Sequence, residues 1–124
     1  MHLTLLAPTF AVCRLAPADP VPAWAGGGQF SSVTRTTAEL SVVCEEAQVP
    51  TGVRAERSWR ALRVVGTLDF SLVGVVLGIA QPLADAGVAI FVISTFDTDY
   101  VLLKQESLEL ALAALRAAGH SIED

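Results

Sequence analysis

The sequence predicts an α+β fold in which a β-α-β-β-α-β module occurs in tandem, the first copy abbreviated and the second complete. Antiparallel sheets with helices on one face are expected. Three observations point there. Apolar runs of strand length alternate with segments of helical period through the second half of the chain. A stretch of the first half matches one in the second at a constant offset. Finally, 52% of the 124 residues are hydrophobic, more than a short monomer core absorbs, so tight packing of two similar halves or self-association is expected.

The second half is the plainer one. Residues 59–68 (WRALRVVGTL) read as a strand, β-branched and apolar up to a polar turn. Residues 71–86 place Leu72, Val76, Ile79 and Leu83 at helical spacing, with Asp69 or Ser71 as N-cap and Gly87 as the stop. Pro82 lies inside that pattern and predicts a kink or a break after Gln81. Gly74 and Gly78, four apart, give one helix face room for close packing. Residues 88–94 (VAIFVIS) and 99–104 (DYVLLK) are short apolar strands joined by 95–98. Residues 106–118 carry Leu108, Leu112 and Leu115 on one helical face and end at Gly119, and 120–123 form a last strand. The order is ferredoxin-like.

The first half repeats part of this pattern. Residues 34–43 (TRTTAELSVV) lie on 94–103 (STFDTDYVLL) at an offset of 60, which also brings Gly27 to Gly87 and Pro22 to Pro82. Residues 10–15 (FAVCRL) read as a strand. Pro20 and Pro22 leave 19–25 room only for a short helix, and Pro50 and Gly52 interrupt 45–58. The expected division is therefore an abbreviated module over 1–58 and a complete one over 59–124.

Charge excludes some functions. The formal net charge is -5, with 8 Lys and Arg against 13 Asp and Glu, which argues against nucleic acid as a partner. Arg54, Arg57, Arg60 and Arg63 recur every third residue, but Glu56 interrupts them; a solvated connector face is the better reading than a phosphate site. The apolar run 72–80 is far shorter than the roughly 20 residues a spanning helix needs. The start, MHLTLLAPTFAVC, lacks the cationic region of a leader, and Pro8 cuts its apolar stretch. No membrane association and a cytoplasmic location are expected. Cys13 and Cys44 lie in apolar segments without C-x-x-C spacing and read as buried free thiols, a disulfide being the alternative.

Two strings carry a resemblance. DFSLVGVVLGIAQPLADAGVAIFVISTFDTDYVLLK (69–104) resembles the ligand-binding half of an ACT domain, and FSSVTRTTAELSVVCEE (30–46) resembles the first-module signature of the same kind of protein. The type is the small tandem ACT protein, related to the regulatory region of aspartate kinase and to cytosolic arginine sensors. STFDTDYVL (94–102) is the most specific part. The resemblance implies a regulatory module that binds an amino acid where two modules meet. By it, Thr95, Phe96 and Asp99 line the ligand pocket.

The chemistry of the residues agrees. An amino acid's carboxylate suits the N–H groups of a helix start, here the turn Asp69, Phe70, Ser71 and Leu72, with Gly74 allowing close approach. Its ammonium needs acceptors, and Asp97 and Asp99 adjoin on the hairpin connection. Asp69 serves equally well as a cap, and aspartates in a hairpin are ordinary turn chemistry. The D-x-D pair lacks further ligands at metal spacing, so neither metal nor cofactor is expected. His2 and His120 belong to no catalytic motif, so no enzyme is expected. The functional expectation is an amino-acid sensor, homo-oligomeric. A protein-interaction module with a vestigial pocket, docking an unknown protein partner, is the alternative.

Overall fold

The computed structural model of the protein describes residues 1–66 and 74–124. In chain order its elements are β1 (His2–Leu5), β2 (Phe10–Leu15), a 3-10 turn at Ala23–Ala25, β3 (Ser32–Arg35), β4 (Leu40–Glu45) and a 3-10 turn at Glu46–Gln48. There follow β5 (Ala55–Val64), α1 (Val75–Asp85), β6 (Ile90–Ser94), β7 (Asp99–Lys104), a 3-10 turn at Gln105–Ser107, α2 (Leu108–Ala117) and β8 (Ser121–Glu123). The chain forms two units: an N-terminal one, Pro8–Trp59, and a C-terminal one, Met1–Ala7 with Arg60–Asp124.

In the N-terminal unit β4 lies between β3 and β2, all antiparallel, and the first half of β5 pairs with β2 at Val12↔Glu56 and Cys13↔Ala55. Because side chains alternate across a strand, Ala11 and Cys13 share a face with Leu40, Val42 and Cys44, and that face is buried with Ala25 and Trp24. Phe10 meets Phe30 edge to face, 5.9 Å between centroids. The Glu45 carboxylate accepts the Gln29 N–H at 2.6 Å, and Gly28 leaves the space it occupies: a Cβ there would stand 2.1 Å from Glu45 Oε2.

The C-terminal unit is α+β and ferredoxin-like. Its sheet runs β8-β1-β5-β7-β6, with β1 antiparallel to β5 (Leu3↔Val64) and parallel to β8 (Leu3↔Ile122). Leu3, Leu62, Val64, Val101 and Leu103 turn one face to Ile79 and Leu83 of α1 and to Leu108, Ala111 and Leu115 of α2. Each fully buried Leu, Ile or Val among them contributes roughly 1.5–3 kcal/mol of transfer free energy. Both helices end on a glycine. Gly87, at φ 77°, lets its own N–H reach Ala84 O and that of Val88 reach Leu83 O, the bonds of a left-handed helix stop. The same pair of bonds follows α2 at Gly119 and His120.

Several expectations shift against this structure. The helix expected from Ser71 is described from Val75, with Gly74 as its cap residue; Asp69 and Ser71, the expected caps, lie outside the described residues. Pro82 does not break the helix, which continues to Asp85. Proline removes the N–H that would bond Gly78 O, and His120 Nε2 donates to that carbonyl instead, at 2.8 Å. The fifth strand starts at Ala55 rather than 59, so Arg57 joins Arg60 and Arg63 as a strand residue and is not part of a connector. Arg60 donates to Leu6 O at 3.0 Å and Gln105 Oε1 at 3.1 Å. The strand β1 is a further element, in a stretch read above only for leader character.

The internal repeat stands one residue away from the expected offset. Strand β4 begins at Leu40 and β7 at Asp99, 59 residues on (99 − 40), and both show the same succession of buried and half-buried positions. The 3-10 turns after them, Glu46–Gln48 and Gln105–Ser107, keep that offset. Thr36 and Thr95 then coincide: each N–H bonds the carbonyl three residues on, Glu39 or Thr98, and each hydroxyl closes the same turn. The offset of 60 arose because both turns are rich in threonine.

Candidate functional site

The β6–β7 hairpin of the C-terminal unit brings together the second group of expected ligand residues. Ser94 and Asp99 are its last paired positions. Between them, Thr95 N–H bonds Thr98 O at 2.8 Å and Thr98 N–H bonds Thr95 Oγ1 at 3.2 Å. The Thr98 hydroxyl is buried and donates to Val64 O at 2.7 Å, which fastens the turn to β5. This leaves Phe96 79% exposed at the tip, with Thr95 and Asp97 exposed beside it.

Asp99 stands apart from its neighbours. It is the first residue of β7, as the strand reading of 99–104 has it, rather than a residue of the connection, and is 8% exposed. The Ser94 hydroxyl donates to its carboxylate; that bond holds one oxygen in a fixed direction. A largely buried carboxylate with a single neutral donor among the described residues is a strong acceptor for a cationic group. The equivalent position in the N-terminal hairpin is Leu40, fully buried. The repeat therefore has this acid in one unit only. Asp97 shares no such setting. Asp69, Phe70, Ser71 and Leu72, expected to receive the ligand carboxylate, lie outside the described residues.

Other chemistry-bearing groups have structural partners. His2 Nδ1 and the Ser121 hydroxyl are 2.6 Å apart, and His2 Nε2 lies 3.1 Å from Glu123 Oε1. Sequence reading missed this Ser-His-Glu chain because the residues are 119 or more apart; it follows from β1 and β8 pairing His2 with Ser121. His2 and Glu123 are exposed there, at 42% and 67%. Cys13 and Cys44 are free and buried, and burial raises both thiol pKa values, that of Cys44 to about 11. Among the described residues, no group of His, Cys, Asp and Glu could hold a metal ion, and no helix is long and apolar enough to cross a membrane.

Comparison with known proteins bears on this geometry. A family model described as the ACT domain matches residues 54–117, and a second, described as an N-terminal domain, matches residues 8–52. Protein Atu0741 from Agobacterium tumefaciens, a crystal structure, is 40% identical, covers 98% of this chain and 90% of its own, and superposes with a TM-score of 0.92. The ligand-free regulatory subunit of aspartate kinase from Thermus thermophilus shares the fold at 15% identity and a TM-score of 0.66, over 94% of this chain and 97% of its own. The human protein CASTOR3P is 28% identical over 93 residues, 64% of this chain and 57% of that protein. The chain thus spans a little over half of that relative's length.

Proposed function

Since the chain belongs to the ACT domain family, we propose that it is a non-catalytic regulatory or sensor protein that binds a free amino acid at an ACT module interface. The observation that carries this reading is Asp99: a buried carboxylate, held by Ser94, in one hairpin of the repeat and replaced by Leu40 in the other. In this reading Asp99 receives the ligand ammonium, with Thr95, Phe96 and, more weakly, Asp97 around it. The turn Asp69, Phe70, Ser71 and Leu72 receives the carboxylate. The likeness in fold to a regulatory subunit of aspartate kinase supports a role in control rather than catalysis.

The protein acts in the cytoplasm and without a cofactor in this proposal, as a homodimer or larger assembly. Strand β6, Ile90–Ser94, supports self-association: among the described residues it pairs with β7 alone, and an apolar strand with one edge left open is a ready template for a second copy. Sedimentation at micromolar protein tests that part, and a monomer at all concentrations removes it. A docking module with a vestigial pocket is the second reading, favoured by Phe96 and Leu77, exposed at 79% and 63%. A thermal-shift screen of the proteinogenic amino acids separates the two. A ligand at a hundredfold excess over its Kd adds about 2.7 kcal/mol of stability, whereas a docking module shows no response to any of them.

A further inference from the structure

We propose that the open sheet face of the N-terminal unit carries another small-molecule site, for a zwitterion about the size of a free amino acid. A cavity of about 230 Å³ lies on this face, lined by Arg14, Glu39, Ser41, Arg54 and Glu56 over a floor that includes Val12. Pairing explains the grouping. Arg14 lies opposite Ser41 on β4 and Val12 opposite Glu56 on β5, so all four share the face turned away from Cys13, Leu40 and Val42. Arg54 is fixed alongside because its carbonyl receives the Arg14 N–H at 3.0 Å.

The charges select the ligand. Two guanidinium groups and two carboxylates give the lining no net charge, so a simple anion or cation meets as much repulsion as attraction, while a zwitterion meets both signs correctly. The Arg14 guanidinium is held by Ala38 O at 3.0 Å and leans toward the β3–β4 turn that carries Glu39. The Arg54 guanidinium and the Glu39 carboxylate have no partner among the described residues. They are the free pair: Arg54 presents a planar fork to a carboxylate, and Glu39 accepts from an ammonium. This face does not repeat the β6–β7 hairpin, since Leu40 stands where that hairpin has Asp99.

Amide chemical shifts of the full chain, followed by NMR while each proteinogenic amino acid is added to millimolar concentration, test the site. At least one amino acid is expected to shift the amides of Arg14, Ser41 and Ala55 to saturation. Arg54→Gln and Glu39→Gln should each weaken that response about tenfold, and Asp99→Asn should leave it in place. The matched amine without a carboxylate and the matched acid without an ammonium should not saturate it. Arg54 is exposed and Glu39 half-buried, and the same spectra report whether each variant is folded. No saturable shift at these amides, a response that both variants leave unchanged, or saturation by the acid alone overturns the proposal. Shifts confined to Ser94, Thr98 and Asp99 overturn it while supporting the hairpin site; the converse pattern supports it and rejects the hairpin.

Discussion

Burial decides what Cys13 and Cys44 do. Loss of water around each thiol disfavours the thiolate, and for Cys44 the pKa rises from an ordinary value near 9.0 to about 11. The folded chain then holds this proton more tightly than the unfolded chain does. The resulting stabilisation is complete below pH 9 and is lost as pH climbs toward 11. The urea midpoint should fall over that window, and should fall less in Cys44→Ala; equal slopes in the two proteins contradict the assignment. A second residue-scale device is the bond from His120 to Gly78 O. His120→Ala should cost about 0.5–1.5 kcal/mol, the worth of one hydrogen bond. In a Pro82→Ala background, where residue 82 regains its N–H, the cost should shrink. A double-mutant cycle in urea measures that coupling, and strict additivity would mean the imidazole is not replacing the missing amide. Neither histidine was informative as sequence, because nothing local links residue 120 to a proline 38 positions earlier in the chain (120 − 82).

Elements were legible where hydrophobic period and turn residues agreed. The strands over 10–15 and 99–104 have the bounds read from sequence, because each is an apolar run closed at both ends by turn-formers. The strand β1 was not, since HLTL is short and its partners are β5 and β8, far along the chain. The start of β5 was missed for another reason: AERS sets two charged residues between two small ones, which reads as a connector. The abbreviated first repeat has the physical cause expected of it. At the offset of 59, α2 falls on residues 49–58, where Pro50 and Gly52 forbid a helix and the chain enters β5 instead. At this scale Gly28 is the sharpest test. Gly28→Ala forces a Cβ into Glu45 from a left-handed φ of 70° and should cost about 1–3 kcal/mol. Thermal or urea unfolding checks it, and a change within about 0.5 kcal/mol would mean the turn rearranges at little expense.

For the whole molecule, the assembly of the C-terminal unit sets what can be removed. Its inner strand β1, between β8 and β5, comes from the chain start, with Leu3 fully buried and Leu5 nearly so. A fragment of residues 60–124 should therefore fail to fold alone, whereas residues 1–7 joined by a short turn to 60–124 should fold, because β1 and β5 already lie antiparallel with Leu5 opposite Leu62. Circular dichroism and amide dispersion distinguish the two, and a stable 60–124 fragment would contradict the role given to β1.

The candidate site was half legible. The DxD spacing drew attention to the β6–β7 hairpin, but sequence cannot show that Asp99 is buried and bonded to Ser94 while Asp97 is exposed. That difference makes Asp99 the centre of the account. Titration calorimetry with the proteinogenic amino acids, run in Arg54→Gln so that the sheet-face pocket is weakened, compares Asp99 with Asp99→Asn, a change that keeps the side chain's shape and an acceptor for Ser94. A charge-assisted bond is worth about 1.5–3 kcal/mol. The account predicts at least one amino acid that binds and loses roughly tenfold to a hundredfold in affinity on Asp99→Asn, with the unfolding midpoint close to its parent's. Unchanged affinity, or no binding by any amino acid, would contradict it.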